Sequence, residues 1–264
     1  MKNLHGLRCV ALDFDLTVFD YKSPADSKIL HPWFEKLHGS GVQAGIASGR
    51  KLESLRYELE KLDMPWMSPF PAFVIHEEST IFSRENEAEF CAWNSARGLE
   101  TQRVSALVRP YFEECAARCI QNGIGIEQVV AESPAGVSLV LETPAAAETQ
   151  RILLAEATSH LADVRLSRNH HILMATHAAY HKGSALHHWA GLQGIPASQI
   201  LAVGDNLNDL CLFEQQWGFR CATVGNADPH VKARIRERAG HIAEQEIAFG
   251  VAEIFEIYFG PLRD

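Results

Sequence analysis

Residues 8–17, Arg8-Cys9-Val10-Ala11-Leu12-Asp13-Phe14-Asp15-Leu16-Thr17, decide the fold. The run Arg8–Phe14 is short and apolar, as a strand buried on both faces requires. It closes on two carboxylates two positions apart. Side chains alternate along a strand, so while the extended backbone persists Asp13 and Asp15 point the same way. In an open parallel sheet the carboxyl edge of the strands is where ligands bind. Two adjacent carboxylates are costly unless a metal ion or a proton sits between them. An Asp-rich turn ending the strand is the plainer reading of the same residues.

Outward from this strand the pattern alternates. Asp26–His38 reads as a helix and Val42–Ala47 as a strand. Lys51–Leu62 carries Leu52, Leu55, Leu59 and Leu62 at helical spacing. The Pro-rich stretch Met64–Pro71 ends that helix, and Ala72–His76 reads as a third strand. Such alternation predicts a parallel sheet with right-handed crossovers. The pattern then changes. Arg103–Gln121 has helical spacing, with Pro110 expected to kink it or mark a restart. Strands are expected at Ile124–Ala131 and Val137–Glu142, around a turn at Ser133-Pro134-Ala135-Gly136. A helix over Ala145–His160 and strands at Asp163–Leu166 and His171–Ala175 complete an α-β-β-α-β-β segment. The alternation resumes with a helix at Lys182–Gln193, a strand at Ile200–Val203, a helix at Leu207–Gln215 and a strand at Arg220–Val224. Helices at Pro229–Ala239 and Ile247–Phe259 follow. The expected fold class is α/β, a Rossmann-like parallel-sheet core of residues 1–79 and 176–264 interrupted by an α+β insertion, residues 80–175.

Three further clusters fall where strands end or helices begin. In Ala47-Ser48-Gly49-Arg50, the Ser48 hydroxyl with the backbone N–H groups from Gly49 onward makes an anion site, although Ser48 also reads as a simple N-cap. In His181-Lys182-Gly183-Ser184, Lys182 would neutralise a phosphate; alone it reads as a solvated lysine. Gly204-Asp205-Asn206-Leu207-Asn208-Asp209 gathers carboxylates and amides directly after a strand, and hard cations such as Mg²⁺ take such oxygen ligands.

Composition narrows the field. A chain of 264 residues can bury a large core. Its 33 acidic against 24 basic residues give a net charge of −9, which argues against duplex DNA or an anionic membrane as partner. Neither charge nor size argues against a small phosphorylated ligand. No apolar run approaches the ~20 residues of a membrane span, and Met1–Gly6 is polar rather than an apolar signal segment. The six cysteines form no C-x-x-C pair and read as small core residues of a reduced, cytoplasmic protein. The histidines match no familiar metal-ligand spacing.

Taken in order, Asp13-Phe14-Asp15-Leu16-Thr17, Ser48, Lys182 and Gly204-Asp205-Asn206-Leu207-Asn208-Asp209 resemble the four motifs of the haloacid dehalogenase-like (HAD) phosphohydrolases. The insertion between the second and third motifs resembles the large cap of the Cof-type, or IIB, subgroup. The resemblance implies a Mg²⁺-dependent phosphatase acting on a small phosphorylated metabolite, such as a sugar phosphate. Asp13 would be the nucleophile and Asp15 the acid/base. Mg²⁺ would be held by Asp13, the main-chain carbonyl of Asp15, and Asp205. Asp209 would support the metal through water or orient Lys182. Ser48, Gly49, Lys182 and Asn208 would bind the phosphoryl group. The alternatives are a phosphotransferase or phosphomutase, and a non-catalytic phospho-ligand-binding module. Departures from the family pattern are Leu16, where many members carry Gly, and His76-Glu77-Glu78-Ser79, where an Asn-Gly pair is common. Arg165, Arg168 and His170 are further candidates to meet an anionic substrate, or solvated charges. Oligomeric state is left open by the sequence.

Overall fold

The computed structural model describes residues 6–64, 66–83 and 87–262. The N-terminal reading of residues 1–5 and Pro65 of the Pro-rich stretch lie outside the described residues. Along the chain run β1 (Cys9–Leu12), α1 (His31–Gly39), β2 (Gln43–Ala47), α2 (Leu52–Lys61), β3 (Val74–His76), β4 (Thr80–Phe82) and α3 (Glu87–Gln121). Then come β5 (Ile126–Ser133), β6 (Gly136–Leu141), α4 (Pro144–Ala157), β7 (Val164–Asn169) and β8 (Ile172–His177). The chain closes with α5 (Lys182–Leu192), β9 (Ile200–Val203), β10 (Arg220–Thr223), α6 (Pro229–Glu237), β11 (His241–Ile242) and α7 (Ile247–Phe259). Two compact units emerge. One comprises the described residues of Met1–Cys91, Lys182–Asp205 and Asp209–Asp264; the other comprises Ala92–His181 with Asn206–Asn208.

The first unit is built on a seven-stranded sheet in the order β11-β10-β9-β1-β2-β3-β4. All neighbours are parallel except β3 and β4. β1 lies at the centre and is buried throughout, which is why it is apolar on both faces. The chain steps from β1 to β2 and β3 on one side and returns to β9 and β10 on the other. The strand order therefore reverses at β1, the position where α/β sheets open a ligand crevice. Leu12 pairs with Ile46 of β2 and Val203 of β9. The residues that follow these partners are thus delivered to one edge: Asp13 after β1, Ser48 after β2, Gly204-Asp205 after β9. Around this sheet pack Trp33, Phe34 and Leu37 of α1, Leu55 and Leu59 of α2, and Val251, Ile254, Phe255 and Phe259 of α7.

β4 departs from expectation. Thr80–Phe82, assigned from sequence to the insertion, pairs antiparallel with β3 and extends the large sheet. Its connection is a tight hairpin in which Glu77 and Glu78 have φ of 46° and 66°. This left-handed backbone suits Asn-Gly far better than two β-carbon-bearing residues. Backbone bonds hold it: Glu77 N–H donates to Arg50 O at 2.9 Å and Glu78 N–H to Ser48 O at 3.1 Å.

The second unit lays α3 and α4 on an antiparallel sheet of order β5-β6-β8-β7. Pro110 lies within α3, which runs through it as one helix instead of restarting. An interior proline removes a backbone bond and costs about 3 kcal/mol. Burial of Val104, Val108, Phe112, Cys115 and Cys119 along one side of the helix offsets that loss. The fold class expected from the sequence is the one observed. Other differences are local: Pro24–Leu30 is 3-10 rather than α-helical, as is Leu207–Leu212. No helix among the described residues is long and apolar enough to cross a membrane.

Candidate active site

Lys182 opens α5 and is completely buried. Its ammonium lies 2.6 Å from Asp13 Oδ1 and 2.6 Å from Asp209 Oδ1. A buried ammonium is tolerable only when paired in this way. Burial alone would lower its pKa, but Asp13, Asp209 and Glu78 together raise it, so Lys182 stays charged. The solvated-lysine reading is therefore excluded.

Asp13 follows β1 and is anchored by its N–H, which donates to Val203 O at 2.8 Å. Asp209 Oδ2 accepts from the Asp205 N–H at 3.1 Å, closing the turn after β9. Asp205 Oδ1 accepts from the Thr17 hydroxyl at 2.9 Å. Gly204 is required here, because a β-carbon on it would lie 2.5 Å from Asp209 Cγ. One ligand oxygen each of Asp13, Asp205 and Asp209 falls within 4.8 Å of the others, and all three residues are buried. Burial, then repulsion from Asp209, pushes the Asp13 carboxyl well above its ordinary range. The same two causes push Asp205 up to about 8, opposed by the Thr17 hydrogen bond. Three carboxylates face one ammonium, a deficit of positive charge that a divalent cation would fill.

Asp15 does not join this cluster. β1 ends at Leu12, so the extended geometry that would align the two carboxylates is already lost where they stand, and the chain turns sharply just after them at Leu16, whose φ is 58°. The Asp15 carboxylate instead pairs with Arg50, at 2.8 Å from a terminal guanidinium nitrogen. The left-handed backbone also accounts for the glycine that many HAD members carry at the position of Leu16.

Ser48 is buried, but it is not the helix cap: α2 begins at Leu52 with Lys51 at its N-cap. The expected pairing of the Ser48 hydroxyl with a helix N-terminus is thereby corrected. Ser48 Oγ instead accepts from the Arg50 N–H at 3.1 Å, and its own N–H donates to Ile75 O at 2.8 Å. Gly49 abuts the β3–β4 hairpin, where a β-carbon would meet Glu78 Oε1 at 2.5 Å. Asn208 is buried on the 3-10 segment Leu207–Leu212. In the second unit, Arg168 is buried and paired with Glu148 at 2.8 Å, so it is no solvated charge. Tyr21, Arg50 and Glu78 took no functional role from the sequence. Arg50 had a signal, standing two residues after Ser48, whereas Tyr21 had none.

Residues 128–254 match the family described as haloacid dehalogenase-like hydrolase. That stretch carries Lys182, Asp205 and Asp209. The match spans just under half of the chain and supports an enzyme of hydrolase type. No curated protein matches it significantly in sequence. Among solved structures it is similar to the sucrose-phosphatase of Synechocystis sp. PCC6803 in complex with sucrose and phosphate. The two share 17% identity and a TM-score of 0.65, over 96% of this chain and 98% of that one. It is also similar to BT1666 from Bacteroides thetaiotaomicron, described among phosphatases of the same superfamily. There the identity is 16% and the TM-score 0.61, over 97% of both chains. A third, SMU.1108c from Streptococcus mutans UA159, shows 16% identity and a TM-score of 0.63, over 97% of this chain and 100% of that one. These likenesses concern the fold.

Proposed function

We propose that the chain is a Mg²⁺-dependent phosphatase that hydrolyses a small phosphorylated metabolite of sugar-phosphate type through an aspartyl-phosphate on Asp13. The observation that carries this reading is the buried Lys182 ammonium shared at 2.6 Å by Asp13 and Asp209, with Asp205 beside them. A structural ion pair needs one carboxylate. Three against one cation is an arrangement awaiting further positive charge.

Asp13 and Asp205, with the main-chain carbonyl of Asp15, would hold Mg²⁺, and Asp209 would support it. When bound, the ion supplies positive charge that lets a carboxylate approach a phosphoryl dianion. Asp13 Oδ attacks phosphorus and the bond to the leaving oxygen breaks. Asp15 gives that oxygen its proton and later takes a proton from the attacking water. Lys182, Ser48 and the Gly49 N–H group hold the phosphoryl oxygens, with Asn208 contributing to the same region. These groups act because they are fixed before the reaction begins. The second unit, with Thr80–Phe82 left to the large sheet, would be the cap of a IIB-type member. Sucrose and phosphate bound to a protein of the same fold support a sugar phosphate as the substrate class.

The test is phosphate release from a panel of sugar phosphates, nucleotides and p-nitrophenyl phosphate, with and without Mg²⁺, by the wild type and by Asp13→Asn. Mg²⁺-dependent release that disappears in the variant is expected. Release that survives Asp13→Asn would overturn the covalent route, and no release from any ester would overturn the phosphatase reading.

A further inference from the structure

Among the described residues, two side chains supply the partners of the Asp15 carboxylate. Arg50 Nε lies 3.0 and 2.9 Å from its two oxygens. The Tyr21 hydroxyl donates to Oδ1 at 2.6 Å. The Arg50 guanidinium also donates to the Tyr21 oxygen, which closes a ring of three interactions. Aromatic faces hold the guanidinium in place: its carbon lies 5.3, 5.5 and 5.1 Å from the ring centroids of Phe14, Phe19 and Tyr21. Phe14 stacks on Phe19, and Tyr21 meets Phe19 edge-on. Such a box fixes a planar, forked cation far better than it would a lysine. Tyr21 is 60% exposed, so packing does not dictate the position of its hydroxyl.

We propose that Tyr21, together with Arg50, is a positioning pair that sets the orientation of the Asp15 carboxyl group for proton transfer. The inference rests on the phosphatase reading above. In the first half of that reaction the Asp15 O–H bond breaks as the O–H bond of the departing alcohol forms. In the second half the Asp15 carboxylate takes a proton from the water whose oxygen attacks phosphorus, which restores the carboxyl group. Both transfers demand that one particular oxygen face the reacting atoms, and small misplacements of a reacting group are costly. The Tyr21 hydroxyl on Oδ1 and Arg50 Nε against both oxygens fix the plane of the carboxylate and so meet that demand.

The consequence is a leaving-group signature. An alkoxide needs a proton to depart, whereas p-nitrophenolate leaves without one. The experiment measures kcat/KM, which covers the steps through leaving-group departure, for glycerol phosphate and for p-nitrophenyl phosphate in the presence of Mg²⁺. Tyr21→Phe keeps the ring against Phe19 and removes only the oxygen. It is expected to lower kcat/KM about tenfold for the alkyl ester and less than twofold for the aryl ester, as lost acid catalysis dictates. Arg50→Lys should fall in the same direction. Equal losses for both esters would make the pair mere scaffold and overturn the proposal, as would no loss for either. A wild type that hydrolyses neither ester would overturn the phosphatase reading itself, a different result from either of these.

Discussion

Asp205→Asn should stabilise the metal-free protein, an unusual result for a buried polar residue. The side chain is held among Asp13, Asp209 and Thr17, and its carboxyl is pushed from 3.8 up to about 8 by burial and by Asp209. A raised carboxyl pKa means that the folded state favours the protonated form. Stability is therefore fully present below pH 3.8 and is lost as pH rises toward 8. At pH 7 the span from 3.8 is about three pH units, each worth roughly 1.4 kcal/mol, so this group costs the fold on the order of 4 kcal/mol. Asparagine removes the titration, and its carbonyl oxygen still accepts from Thr17. Coupling to Asp13 and Asp209 shares out the penalty, so a gain of about 2–4 kcal/mol is expected. The assay is urea unfolding in EDTA, followed by tryptophan fluorescence, at pH 5 and pH 8. The wild type should lose stability between the two pH values, and the variant should lose distinctly less. Mg²⁺ should then stabilise the wild type and do little for the variant. A variant less stable than wild type at pH 8 without metal would refute the electrostatic reasoning, as would an unchanged pH dependence.

Other outcomes follow from the same physics. Lys182→Met removes the ammonium shared by Asp13 and Asp209 and should cost about 3–5 kcal/mol in urea unfolding, opposite in sign to Asp205→Asn. In the second unit, hydrogen bonds from Arg151 and Arg168 hold the Glu148 carboxyl down to about 2 from 4.5. That contribution is present above pH 4.5 and is lost as pH falls toward 2, so Glu148→Gln should flatten the acid limb of the stability–pH curve. Of the six cysteines only Cys91 is exposed, and burial raises the thiols of Cys9, Cys115, Cys119 and Cys221. One thiol of the native chain should react rapidly with a disulfide reagent, and all six after unfolding.

The central strands were legible because parallel strands buried on both faces must be continuous apolar runs, as in β1 and β9. β4 was not, because three residues after a hairpin with no glycine carry no turn signal. The continuity of α3 through Pro110 depends on the sheet packed beneath it, which local propensity does not encode. In the site, Asp13, Lys182, Asp205 and Asp209 stood out through their order along the chain, and the strand order gathers them at one sheet edge. The partner of Asp15 was hidden. Arg50 lies 35 residues away and Tyr21 six, and β1 ends at Leu12, before the alternation of a strand could align this carboxylate with Asp13.

Phosphorylation of Asp13 is the step on which the proposed function turns. The direct measurement is rapid acid quenching during turnover of a good aryl phosphate with Mg²⁺, followed by mass analysis of the peptide that contains Asp13. One added phosphoryl group on that peptide, absent without Mg²⁺ and absent in Asp13→Asn, is the predicted result. Steady turnover with no phosphoryl group on Asp13 at any quench time, or the group found on another residue, would contradict it.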